Sequence, residues 1–350
     1  MLKDTIEEKL LQCESDDYPI FKKNTVKSLY YVLEAIVVII TLYYMCYKLN
    51  KSKISNIIKF PSTMVCLIIL GIVFWGQFVL GHDLGHGSFS DYNVLNKILG
   101  VIIHGTLLVP FQQWRCSHRK HHKFTGHIEK DEIFKPVKED GGYFHIISKY
   151  IAYNPFTWIF YLLCGYPSES INHFNPLYHV GDENPKEETL VCIISSIFII
   201  CFGYSLYKFG ETFGFKTLFI YYFIPWMIFS YLLVIVTFLQ HQNKNITWKN
   251  DESGWDESFG ALQSVNRSYG TLVDYLSHDI APYHQIHHLF PKIPHYNLKN
   301  AFQCFETNFP EHVNTEYGNS FFDFFKNTRI WKENIVLKKN ANTHNFFNKP

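Results

Sequence analysis

Residues Pro61–His86 read PSTMVCLIILGIVFWGQFVLGHDLGH. Twenty-one residues of this stretch, Pro61–Gly81, carry no charge, enough helix to cross the roughly 30 Å of bilayer hydrocarbon. A histidine pair at i, i+4 follows at once, His82 and His86. An apolar span that runs straight into paired imidazoles points to a metal site carried at one edge of a membrane bundle. On a helix, residues three and four apart share a face.

Working outward, three more blocks are long and apolar enough to span, at about residues 29–47, 189–209 and 217–240. Connections of 48–60 and 210–216 pair the four into two helical hairpins. Pro225 is expected to kink the last span. Two shorter apolar stretches, Ile98–Phe111 and Tyr150–Tyr166, fit interfacial or re-entrant helices better than spans; Asn154-Pro155 breaks the second. The fold class expected is an all-α integral membrane protein, with four transmembrane helices, interfacial helices and a His-rich cap on one side. Residues 1–28 lack the layout of a cleaved signal peptide, so block 29–47 is expected to act as a retained anchor. The organisation expected is an N-terminal segment 1–28, a main domain 29–315 and a tail 316–350.

The chain of 350 residues has 32 Lys+Arg against 31 Asp+Glu, a net charge of +1. That balance offers no basic surface for nucleic acid. Apolar residues make up 47% and charged residues only 18%, below the usual quarter. Mean hydropathy is −0.06, because long apolar blocks alternate with polar ones. Eight scattered cysteines form no CxxC pair, so neither a zinc framework nor a disulfide scaffold is expected.

Histidine is the over-represented residue, with 18 copies. Beyond His82 and His86, clusters stand at His118-Arg119-Lys120-His121-His122 and His284-Gln285-Ile286-His287-His288. One HxxHH arises by chance about 0.05 times in a chain of this composition, and here there are two. A single such cluster is as readily a solvated face as a ligand set. Three clusters flanking spans are not, because the helices must converge to satisfy them. His241, closing the fourth block, is a ninth candidate. Nine imidazoles exceed the four ligands of one zinc and suit two metal ions. Zinc cannot change oxidation state, so a redox reaction would call for iron.

At these residues the sequence resembles the membrane fatty acid desaturase family. The resemblance is carried by Gly81–Asp91 (GHDLGHGSFSD), Ser117–His122, Gly126–Glu132, Phe238–His241, Val265–Gly270 and Ile286–Tyr296, and covers about residues 70–300. The third box begins with His284 where front-end members usually have Gln, and no HPGG marks a fused cytochrome b5 domain. Both features resemble the methyl-end (Δ12/ω-3) branch. Asp83 and the HHLFPKIPHY run lean towards ω-3 members.

The resemblance implies an O2-dependent acyl-lipid desaturase. It would place a cis double bond in an unsaturated acyl chain at Δ12 or ω-3, releasing water. Two iron ions would be held by His82, His86, His118, His121, His122, His241, His284, His287 and His288. The chain has no nucleotide fingerprint, so electrons would come from a partner, expected to be cytochrome b5 with its reductase. The substrate would be a fatty acyl lipid on phospholipid or CoA, and the location the endoplasmic reticulum membrane with the histidines cytosolic. A hydroxylase or conjugase on the same scaffold, or a zinc-binding membrane receptor or hydrolase, stands as the alternative.

Further expectations concern supporting residues. Asp83, Glu129, Asp131 and Asp279 are candidates to orient the imidazoles. Trp75, Trp114 and Phe111 are candidates to line an acyl tunnel. Arg115, Arg119, Lys120 and Lys123 could dock an acidic donor or lipid headgroups. Thr237 stands where the family's acyl-CoA branch has an Asn that helps complete its metal site; its hydroxyl could hold a water. Glu34 is an unexplained carboxylate within the first span. Asn245-Ile246-Thr247 and Asn266-Arg267-Ser268 match the glycosylation pattern, and Phe346–Pro350 loosely resembles a retrieval signal.

Overall fold

The computed structural model describes residues 2–138, 156–165, 172–177, 185–318, 320–337 and 341–347. Helices dominate. In order they are α1 (Leu2–Cys13), α2 (Thr25–Lys51), α3 (Asn56–His86), α4 (Asn93–Gly105), α5 (Phe111–Phe124), α6 (Thr157–Cys164) and α7 (Pro185–Phe213). Then come α8 (Phe215–His241), α9 (Glu257–Leu262), α10 (Thr271–Leu276), α11 (His284–Leu289), α12 (Leu298–Asn308) and α13 (Ser320–Glu333). Two two-residue strand pairs complete the described set: β1 (Val137–Lys138) with β3 (Val336–Leu337), parallel, and β2 (Trp248–Lys249) with β4 (Thr343–His344), antiparallel.

The four helices long and apolar enough to cross a membrane are α2, α3, Lys186–Phe213 of α7, and α8. Each contains an expected span and outruns it. Only Ser52–Ser55 separate α2 from α3, and only Gly214 separates α7 from α8. Asn24 caps α2 by accepting from the Lys27 N–H at 3.0 Å, which starts the helix four residues before the apolar block. At the other end of the hairpin, α3 continues five residues past Gly81 to His86. It stops where Gly87 takes the left-handed conformation at φ 71°. His82 and His86 thus ride on the span itself. At Pro225 the structure shows a change of helix type: the turn before it, Phe219–Phe223, widens to a π-helix.

Burial ranks the four. The most apolar stretch of α3 is 72% buried and that of α8 44%, against 11% for α2 and 17% for α7. A central pair, α3 and α8, is therefore flanked by two helices that present Leu, Ile and Val outward, as lipid-facing helices do. The Ile98–Phe111 stretch is split. α4 ends at Gly105, Leu108 takes a positive φ of 58°, and Pro110 precedes α5. Of the Tyr150–Tyr166 stretch the described part is α6; Asn154-Pro155 lie outside the described residues.

The polar regions gather on the side reached by His86 and His241. Cys13 and Cys304, 291 positions apart, form a disulfide that ties α1 to α12. Burial of Ile6 and Leu10 holds α1 in place and brings the two sulfurs together. Asn266 is buried and hydrogen-bonded to Gln285 at 3.2 Å, so it offers no surface for a glycan. The tail packs back as well: Phe324, Trp331 and Phe346 are buried.

Candidate metal centre

Four helices deliver the nine histidines. α3 contributes His82 and His86, α5 His118, His121 and His122, α8 its last residue His241, and α11 His284, His287 and His288. The i, i+3 and i+4 spacings turn each set to one face. The rings meet: His82 lies 4.8 Å from His118 and 4.5 Å from His287, centroid to centroid, and His122 stacks on His288 at 4.0 Å.

They resolve into two sets. Ligand nitrogens of His82, His86, His118, His122 and His287 lie within 4.8 Å of one another, as do those of His121, His241 and His288. His284 borders the second set, its Nε2 3.1 Å from His241 Nε2. Among the described residues, no carboxylate joins either set.

The chemistry of these nitrogens fits metal ions. His86 Nε2, His288 Nε2 and both nitrogens of His287 are buried without a hydrogen-bond partner. Each such orphan costs about 1–3 kcal/mol if left unfilled. Elsewhere imidazoles face imidazoles, at 3.0 Å for His118–His122 and 3.2 Å for His121–His241. His118, His122, His284, His287 and His288 are held well below the ordinary histidine range. Burial strips water from the charged form, and neighbouring rings repel a second charge. The rings are therefore neutral, as ligands must be.

An outer layer orients them. Asp131 sits 2.8 Å from His121 Nδ1, and its other oxygen accepts the Gly126 N–H at 2.9 Å. Thr125 Oγ1 lies 3.2 Å from His288 Nδ1. Asp83 Oδ2 accepts from the His295 ring at 2.9 Å and from its backbone N–H at 3.1 Å, while Oδ1 is 3.5 Å from His82 Nδ1. Trp114 stacks on His118 at 4.5 Å. Asp83 and Asp131 thus stand where the sequence placed them. Glu129 instead lies in a turn capped by His127, whose Nδ1 accepts the Glu129 and Lys130 backbone N–H groups, each at 3.1 Å. Asp279 adopts a left-handed backbone at φ 54°, and its half-buried carboxyl is pushed up in pKa by burial. His295 was not anticipated, although it closes the Phe290–His295 run of the third box.

A cleft opens onto the rings. Its walls are largely apolar, with Trp75, Phe78, Trp158, Leu233, Val236 and Ile280 among them, and His82, His118, His121, His241 and His284 complete the lining. Trp75 and Trp114 line it as expected. Phe111 does not; it packs with Leu84, Phe89 and Val101 in a separate core. The Thr237 hydroxyl faces the cleft but donates to the Leu233 carbonyl at 2.7 Å. The docking cations need correction too. Arg115 donates to the Gly85 carbonyl at 2.7 Å, Arg119 pairs with Glu188 at 2.6 Å and Lys120 with Glu132 at 2.7 Å. Lys123 is the exposed one, beside the Phe124 ring. Glu34 gains a partner: the Tyr275 hydroxyl donates to it.

Known proteins resemble this chain in sequence. The family model described as fatty acid desaturase matches residues 60–318. A Δ12 acyl-lipid conjugase of Impatiens balsamina is 35% identical, covering 80% of this chain and 75% of the relative. A ferredoxin-type sn-1 acyl-lipid ω-3 desaturase of Nostoc sp. is 35% identical with the same coverage. An acyl-lipid ω-3 desaturase of Arabidopsis thaliana, named with cytochrome b5 and the endoplasmic reticulum, is 37% identical over 66% of this chain and 60% of its own. These relatives fall in the Δ12/ω-3 branch, as the third box and the missing HPGG implied. With a matched domain, four candidate spans and a buried polyhistidine cluster, the chain belongs to the fatty acid desaturase family.

Proposed function

We propose that this enzyme is an acyl-lipid desaturase that introduces a cis double bond at the Δ12 or ω-3 position of an unsaturated fatty acyl chain, with O2 as co-substrate. The observation that carries the reading is the convergence of nine histidine rings, in two sets at ligand distance, beside an apolar cleft. His82, His86, His118, His122 and His287 would hold one iron, and His121, His241, His284 and His288 the other. The iron pair would supply the oxidising power that removes hydrogen from unactivated CH2 groups, which no acid or base can do.

The protein's own groups do the rest. The cleft walls hold the acyl chain by burial alone, about 0.8 kcal/mol per CH2, and exclude water from the reacting carbons. Asp131 keeps the His121 proton on Nδ1 and leaves Nε2 free to ligate. Asp83 fixes His295 and faces His82. Residues 29–315 would form the catalytic unit, with 1–28 and 316–350 as its flanks.

Electrons would come from cytochrome b5 through its reductase, in the endoplasmic reticulum membrane with the histidines cytosolic; the Arabidopsis relative's name supports this choice. The Impatiens conjugase supports a second outcome on the same scaffold, conjugated double bonds. Expression in yeast with gas chromatography of the fatty acids tests the reading. New Δ12 or ω-3 double bonds are expected from wild type and none from His287→Ala. Good expression and iron loading without any new unsaturation would overturn it.

A further inference from the structure

Three contacts set a common depth in the bundle. Leu276, the last residue of α10, brings its carbonyl so close to Gly76 of α3 that a Cβ there would lie 1.9 Å from the oxygen. Tyr275, one residue earlier, donates its hydroxyl to Glu34 of α2. Phe324 of α13 packs on Tyr231 and Phe238 of α8, with ring centroids 6.0 and 5.6 Å away.

Helix rise converts these anchors into heights. Gly76 precedes His86 by ten residues and Tyr231 precedes His241 by ten. At 1.5 Å per residue Gly76 lies about 9 Å from His82 and about 15 Å from His86, and Tyr231 about 15 Å from His241. Counted the other way, α3 runs about 30 Å from Gly76 back to Asn56. By the same rise α2 runs about 26 Å from Glu34 to Lys51, and α8 about 24 Å from Tyr231 to Phe215. Each remainder is close to the thickness of bilayer hydrocarbon, roughly 30 Å. The three anchors therefore mark one membrane boundary.

What projects near that boundary is apolar. Leu272 of α10 is 59% exposed, and Phe321 and Phe325, one turn apart on α13, are 54% and 49% exposed; Tyr317 just before α13 is 88% exposed. Farther along α13 the exposed residues become Lys326, Arg329 and Glu333. The two helices are held as one unit. Arg267, buried, pairs with Asp323 in the first turn of α13 at 2.7 Å, and the same loop is pinned to α10 where the Tyr269 N–H donates to Asp274 at 2.9 Å.

We propose that α10 and the first turn of α13 are seated in the headgroup–acyl boundary of the same bilayer that the four helices cross. Leu272, Tyr317, Phe321 and Phe325 face acyl chains, and Lys326 and Arg329 lie at the level of lipid phosphates. The histidine centre then stands about 9–15 Å outside the hydrocarbon. Trp75 and Leu233, which line the cleft, flank the anchors Gly76 and Tyr231, so the cleft descends to the seated helices.

The test uses the full-length protein in phosphatidylcholine nanodiscs, with the photoreactive residue p-benzoyl-phenylalanine replacing one side chain at a time. Phospholipid adducts are expected at positions 272, 321 and 325, as at Ile200 on the exposed face of α7, and none at Glu252 in the cap. Adducts at 200 alone, with 321 and 325 matching 252, would overturn the proposal. Hydroxyl-radical footprinting of the unaltered protein gives an independent reading. Tyr317, Phe321 and Phe325 should escape oxidation, and heavy oxidation at all three would refute the seating. Neither readout depends on which metal or which acyl chain the centre takes.

Discussion

Gly76 of α3 meets the Leu276 backbone of α10 closely, and Gly76→Ala probes the contact. The added methyl would sit 1.9 Å from the Leu276 carbonyl oxygen, whereas ordinary contact begins at 3.4 Å. The obstructing atom is backbone, so it cannot swing aside. Either α10 or α3 must move by about 1.5 Å, the difference between those two distances. Overpacking of this kind costs about 1–3 kcal/mol. For a chain of this size that lowers the melting temperature by roughly 1–4 °C. The displacement also reaches the site. His278 Nε2 lies 3.5 Å from the same point, and His284 follows six residues later. Misplacing a reacting group by about 1 Å can lower a rate on the order of 100-fold. Thermal unfolding of the purified protein and product per unit protein in yeast membranes measure the two effects. Gly203→Ala is the control, since nothing lies within 4 Å of a Cβ at that position. A Gly76→Ala protein that melts and turns over like Gly203→Ala would refute the close packing of α10 on α3.

Two further outcomes follow from the buried networks. Asp83→Ala removes the acceptor from two buried His295 donors and the carboxylate beside His82, so iron affinity should fall about 10- to 100-fold in chelator competition; unchanged retention would remove Asp83 from the orienting layer. Asp323→Ala leaves Arg267 buried with only Glu316 nearby, at 3.5 Å, and should lower stability by about 1.5–3 kcal/mol without changing iron content; loss of iron with stability intact would contradict a purely structural role.

Much of this arrangement was legible in the sequence because two strong signals agree. Apolar blocks of membrane length are read without tertiary information, and all four expected spans lie inside observed helices. The HxxxH and HxxHH spacings carry their own facing geometry, so convergence of the nine rings followed once the spans put them on one side. The ends of the spans were less legible. Residues 82–86 are polar enough to read as a loop, but packing keeps them helical, and Asn24 starts α2 early through a cap. Long-range partners carried no local signal at all. Cys13 and Cys304 are far apart in sequence, and Glu34 meets Tyr275 only because α10 packs on α3. The cations Arg115, Arg119 and Lys120 looked like a free surface because their partners, Gly85, Glu188 and Glu132, are met only in the fold. His295 was readable in principle, as a seventh residue past the third box with a buried acid to pair, yet Asp83 stands 212 positions away.

The central claim is that nine converging imidazoles hold two iron ions in one centre. Iron and protein should be quantified together on detergent-purified protein, with Mössbauer spectra of 57Fe-loaded samples. The account predicts close to two irons per chain, magnetically coupled, and loss of both stoichiometry and coupling in His122→Ala. A protein that binds one metal ion at most, or two uncoupled ones that survive the substitution, would contradict it.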